Sequence, residues 1–122
     1  YVQYAHARIC SLLNRLEDEG VTLREPTREE LELLNTPEET ELIRSIAGFP
    51  SLVVGAAKRY ETAVLTHYAT EIATLFHKFY TACRVFGEED SLLQARAALC
   101  VATQNTLSNV LGLMKITAPE SM

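Results

Sequence analysis

The sequence predicts an all-α protein, an irregular antiparallel bundle of five to six helices. Apolar residues recur at helical spacing through most of the 122 residues, and the breaks between these stretches carry helix-start and helix-stop residues. No five-residue β-branched alternation flanked by turn residues is present, so a sheet has no obvious source. With 48% hydrophobic residues, a chain of this length can bury one real core, and a single domain over residues 1–122 is expected. Five Gly and four Pro fall between the periodic segments, not in a low-complexity stretch.

The first helix is expected over about residues 1–19, with Val2, Ala5, Ile9, Leu12, Leu13 and Leu16 on its apolar side and Gly20 as its stop. Thr27-Arg28-Glu29-Glu30 places a capping Thr three residues before a Glu, and a short helix through Leu34 should follow. Thr36-Pro37-Glu38-Glu39 repeats that arrangement with Pro at the first helical position, opening a helix to about Ala47 whose Leu42, Ile43 and Ile46 face inward. Glu38, Glu39 and Glu41 then lie near the positive end of the helix dipole, each worth some tenths of a kcal/mol, ~0.3–1. Gly48-Phe49-Pro50 breaks the pattern, and a fourth helix can cover Leu52 to Tyr60.

From Thr62 to Phe86, the residues Leu65, Tyr68, Ala69, Ile72, Leu75, Phe76, Phe79, Cys83 and Phe86 trace a stripe of period near 3.6, with Gly87 as its end. A last long helix is expected from about Ser91 to Leu113. Its small residues Ala95, Ala97, Ala98 and Ala102 predict close helix–helix approach. Short connections between such helices imply a bundle.

No run of about 18 apolar residues occurs, and the first residues form an amphipathic pattern without a cationic lead and cleavage site, so neither a membrane partner nor a signal peptide is expected. Cys10, Cys83 and Cys100 are odd in number and form no C-x-x-C pair, which reads as buried thiols of an intracellular, cytoplasmic protein. The net charge of −5 argues at first against RNA, whose phosphates need Lys and Arg. Its distribution reverses the argument. Residues 17 to 41 hold ten acids against Arg24 and Arg28, a balance of −8 that leaves +3 for the remainder.

At 100° per residue, His77, Tyr80 and Arg84 fall within roughly 60° of arc, off the centre of the apolar stripe, with Lys78 close by. An aromatic plane, a guanidinium and an imidazole suit an unstacked base of single-stranded RNA. The plainer reading is that Tyr80 borders the core and Arg84 closes the end of its helix. His67 and Glu71 stand four residues apart, but no second carboxylate–histidine pair accompanies them as a bundle metal site would need. No H-E-x-x-H, P-loop or G-x-G-x-x-G pattern is present, so no catalysis is expected within these residues.

Four stretches carry a family resemblance. Tyr1 to Ser11, YVQYAHARICS, resembles the helix that opens the C-terminal DALR-type anticodon-binding domain of arginyl-tRNA synthetases. Phe76 to Val85 is similar to that family's FH-x-FY-x-x-CRV segment. Leu107 to Met122 is similar to its ending, with Asn109, Leu111, Leu113, Ile116, Ala118, Pro119, Glu120 and Met122 at matching positions. Leu31 to Lys58 is similar to the connecting helices. Three residues depart from the pattern: Val110 and Lys115 stand where Gly is usual, and Ser121 replaces the penultimate Arg. Lys115 can restore a charge near the end, but not the planar fork of an arginine.

The resemblance implies one module of a larger, bacterial-type enzyme, and a start at Tyr1 without an initiator Met fits such a domain. It implies RNA contact by Tyr80, Arg84 and Met122 around the middle anticodon base. His77, Lys78 and Lys115 are added as neighbouring polar groups. Tyr4, His6 and Arg8 are expected to pack against the catalytic domain and to be left exposed without it. The partners implied are the anticodon loop of tRNA(Arg) and the catalytic domain of the same chain, with no DNA partner. ATP and Mg belong to that catalytic domain, and no cofactor is expected in this one. The rival classes are a helical protein–protein interaction module without RNA ligand, favoured by the acidity of residues 17–41, and a metal- or cofactor-binding bundle.

Overall fold

The computed structural model describes residues 2–51 and 62–113, and five α-helices make up most of them, with no strand among the described residues. They are α1 (Val2–Asp18), α2 (Arg28–Leu31), α3 (Pro37–Ala47), α4 (Thr62–Ala82) and α5 (Asp90–Leu113). The expected helix over Leu52 to Tyr60 lies outside the described residues. So do Tyr1, Lys115, Ser121 and Met122.

α1 packs against both α4 and α5, and α3 packs against the same two. The core sits where these helices meet. Ile9 and Leu16 of α1, Leu42 of α3, Ile72, Phe76 and Phe79 of α4, and Leu107 and Val110 of α5 are all at most 1% exposed. Burial of each such large side chain is worth roughly 1.5–3 kcal/mol relative to leaving it in water. Ala95 and Ala97 are buried as well, consistent with close approach along α5.

Local chemistry sets most of the boundaries. Gly20, at φ 83°, ends α1 with its N–H on the Glu17 carbonyl while Val21 N–H reaches the Leu16 carbonyl, the paired bonds of a left-handed C-cap. Thr27 and Thr36 each accept the N–H three residues on, and Glu30 and Glu39 each return a bond to the capping residue's own N–H.

Three expectations are corrected. α2 stops at Leu31 and continues as turns through Leu34, because the N–H groups of Leu33 and Leu34 bond the carbonyls of Glu30 and Leu31, one residue short of helical pairing. Ile43 is 39% exposed, since α3 buries a narrower stripe centred on Leu42. α4 ends at Ala82 and not at Phe86. The cause is tertiary: the Arg84 carbonyl accepts a 2.6 Å bond from Arg96 Nη1, Val85 is buried, and Phe86 also packs on the core before Gly87 turns the chain at φ 80°.

Two polar residues of α5 tie the loops down. Arg96 Nε bonds the carboxylate of Glu39 at 2.8 Å, and Glu39 is wholly buried while also accepting from Thr36 N–H and Oγ. Gln94 accepts the Arg24 N–H and donates to the Thr22 carbonyl, anchoring residues 20–26. Arg24 also reaches Asp90 and forks onto both oxygens of Glu30 at 2.6 Å, and this guanidinium, then the Thr27 N–H, holds the Glu30 carboxyl down at about 2. Cys10, Cys83 and Cys100 are buried free thiols, and burial pushes the Cys100 thiol up to about 12. No helix among the described residues is long and apolar enough to cross a membrane.

Candidate nucleic-acid interface

The polar edge of α1 meets the polar edge of α4 and forms one cluster. Tyr4 and Arg8, four residues apart, share a side of α1, while His77 and Tyr80 share a side of α4. The Arg8 guanidinium carbon lies 4.0 Å from the centroid of the Tyr80 ring, close enough for stacking. Arg8 Nη1 also points to the Tyr4 hydroxyl at 3.4 Å. The rings of Tyr4 and His77 are 5.7 Å apart at 40°.

Beneath this surface, Phe76 is fully buried and touches both members of α4 in the cluster, with centroid distances of 5.9 Å to His77 and 6.1 Å to Tyr80. The core thus fixes the rotamers from below and Arg8 covers Tyr80 from above. Tyr4 remains 40% exposed. Partial burial, and then the positive charge of Arg8, hold His77 below the usual histidine range, so the neutral imidazole is favoured as a donor and acceptor. Lys78 is exposed and borders a shallow hollow with Glu38, Thr74, His77 and Thr81.

The expected residues do not all converge here. Arg84 lies beyond the end of α4, so the helical arc that grouped it with His77 and Tyr80 does not reach it, and its exposed side chain turns to Glu88 at 3.4 Å. His6 departs from the expected exposure. It is 4% exposed, with Nε2 at 2.7 Å from Ser108 Oγ and Nδ1 at 3.7 Å from Cys10 Sγ, because its side of α1 faces α5. Met122 and Lys115 are outside the described residues.

Arg8 is the member whose partner sequence reasoning missed. A partial signal existed: Tyr4, Arg8 and Arg15 lie four and seven residues apart, on one edge of α1 away from its apolar stripe. Elsewhere, an apolar hollow of about 450 Å³ lies between α2, α3 and α5, lined in part by Leu31, Ile43, Ile46 and Leu99. No group of three or more His, Cys, Asp or Glu placed to hold a metal ion occurs among the described residues.

The fold and this face define a helical recognition module, a packed bundle that presents aromatic and guanidinium planes from two adjoining helices. The chain belongs to the DALR anticodon-binding domain family, whose model matches residues 2–122. It is 49% identical over 122 residues to an arginine–tRNA ligase of Moorella thermoacetica and to one of Ruminiclostridium cellulolyticum, covering all of this chain and 22% of each relative. The solved arginyl-tRNA synthetase of Thermus thermophilus matches the whole chain with a TM-score of 0.86 and 30% identity, over 21% of its own length. The chain therefore spans about a fifth of the proteins it matches.

Proposed function

We propose that the face formed by Tyr4, Arg8, His77 and Tyr80 binds the anticodon loop of tRNA(Arg) for a parent arginine–tRNA ligase. The observation that supports this reading is the Arg8 guanidinium stacked on Tyr80 beside the exposed ring of Tyr4. Stacked planes held from beneath by Phe76 can take an unstacked base at little ordering cost. The guanidinium offers its plane to a base and its N–H groups to a phosphate.

In this reading the domain supplies binding energy, not chemistry. ATP, Mg and arginine activation belong to the catalytic domain of the parent, which is also the domain's intramolecular partner in the cytoplasm. Holding the loop sets where the acceptor end lies, so correct tRNA is favoured through position. Arg84 and Lys78 act as peripheral cations, while Met122 and Lys115 enter through the family resemblance alone.

Tyr80→Ala in the full-length enzyme should weaken tRNA(Arg) binding by about 5- to 150-fold, the equivalent of a stacking term of about 1–3 kcal/mol. An unchanged dissociation constant would remove Tyr80 from the interface. The rival reading, a protein–protein module, has the apolar hollow beside the exposed Leu31 and Ile43 in its favour. A salt titration separates the two: RNA affinity should fall as salt rises, whereas a protein module shows no tRNA affinity above background.

A further inference from the structure

We infer that Arg15 and Phe86 form a second stacking position, which takes another unpaired base of the same RNA loop farther along α1. The inference rests on the RNA-binding reading above. The Arg15 guanidinium carbon lies 4.3 Å from the centroid of the Phe86 ring, nearly the geometry of Arg8 on Tyr80 at 4.0 Å. Seven residues separate the two arginines, so they project from almost the same side of α1 at a separation of ~10 Å. Both aromatic partners pack against the core, Tyr80 from α4 and Phe86 from the segment that leaves it. The early end of α4 is what brings Phe86 beneath Arg15.

The chemistry favours a base over a phosphate at this second position. Arg15 Nε is already bound to Glu19 at 3.2 Å, and Glu17 and Asp18 follow on the same helix. Those carboxylates repel an RNA backbone. What remains is the flat outer face of a guanidinium whose inner face is held by Phe86 and whose edge is held by Glu19, with 67% of the side chain open to solvent. Such a preoriented plane stacks on a base of any identity. At ~3.4 Å per stacked base, a separation of ~10 Å corresponds to about three nucleotides between the two positions.

The test compares Arg15→Lys, Phe86→Leu and Tyr80→Ala in the full-length enzyme, with tRNA(Arg) binding measured by filter retention across a salt series. Lysine keeps the charge and loses the plane. Arg15→Lys and Phe86→Leu should each weaken binding about 5- to 30-fold, with the salt slope unchanged. Wild-type affinity for Arg15→Lys, beside a weakened Tyr80→Ala, would overturn the second position and leave the first. Weakening by the Arg15 and Phe86 changes alone would support it while removing Tyr80 from the interface. No loss in any of the three would overturn both. Far-UV circular dichroism of each variant guards against misfolding, and tRNA carrying 2-aminopurine at successive loop positions should lose quenching at one position with Arg15→Lys and about three nucleotides away with Tyr80→Ala.

Discussion

Removing the guanidinium of Arg96 should be among the most damaging single changes to the fold. Arg96→Met keeps much of the stem volume but takes away the 2.8 Å donor to Glu39, whose carboxylate is wholly buried, and the 2.6 Å donor to the Arg84 carbonyl. Breaking a buried pair from one side costs about 3–5 kcal/mol, because the remaining charge is stranded. Thr36 still donates to Glu39 through its N–H and hydroxyl, and Arg96 lies at the edge of the core at 9% exposure, which places the loss near the lower end, ~3 kcal/mol. For a domain of this size, that corresponds to a melting temperature lower by about 10 °C. Urea unfolding followed by circular dichroism should be run on Arg96→Met, Glu39→Gln and the double variant. The pair predicts a coupling of at least ~1.5 kcal/mol, since with Glu39→Gln in place a neutral amide is left, and no charge is stranded when the guanidinium goes. A cost under ~1 kcal/mol for Arg96→Met, or simple addition of the two single effects, would refute the account of how α3, α5 and the exit of α4 are joined.

Two further outcomes are expected. Gly87→Ala should cost about 1–2 kcal/mol in the same assay even though an added Cβ meets nothing within 4 Å, because the residue sits at φ 80°. His77 is held below its ordinary value of 6.5, so the native state disfavours its protonation and its contribution is fully present above that pH. Stability should therefore fall as pH drops below about 6.5, and His77→Gln should lessen that fall between pH 7 and 5; an identical slope in the variant would contradict the assignment.

What is legible in the sequence is what local chemistry decides. Thr27 with Glu30 and Thr36 with Glu39 form their reciprocal caps because all the atoms involved lie within three residues. The stripe from Leu65 to Phe79 is buried as its period requires, with Leu75 at its edge only partly so. Features that depend on a second element are not legible. Nothing in residues 80–87 announces that Arg96 will take the Arg84 carbonyl and close α4 early, and so the helical arc places Arg84 beside Tyr80 when its side chain meets Glu88. The periodicity of α1 shows a polar edge with Tyr4, Arg8 and Arg15, but not that α4 will receive it. Hence the family resemblance points Arg8 at a domain seam, while the packing of α1 on α4 sets its guanidinium against Tyr80. His6, on the other side of the same helix, is turned inward to Ser108.

A base of the anticodon loop stacked on the Arg8–Tyr80 pair is the contact that matters most, and a cycle that removes Tyr80 and the base in turn tests it most directly. The dissociation constant of the full-length enzyme should be measured for wild type and Tyr80→Ala, each with intact tRNA(Arg) and with tRNA made abasic at single anticodon positions. At the contacted position, Tyr80→Ala should weaken intact tRNA by about 5- to 150-fold and have little further effect once the base is gone. An equal loss with and without the base at every anticodon position would contradict stacking at this face.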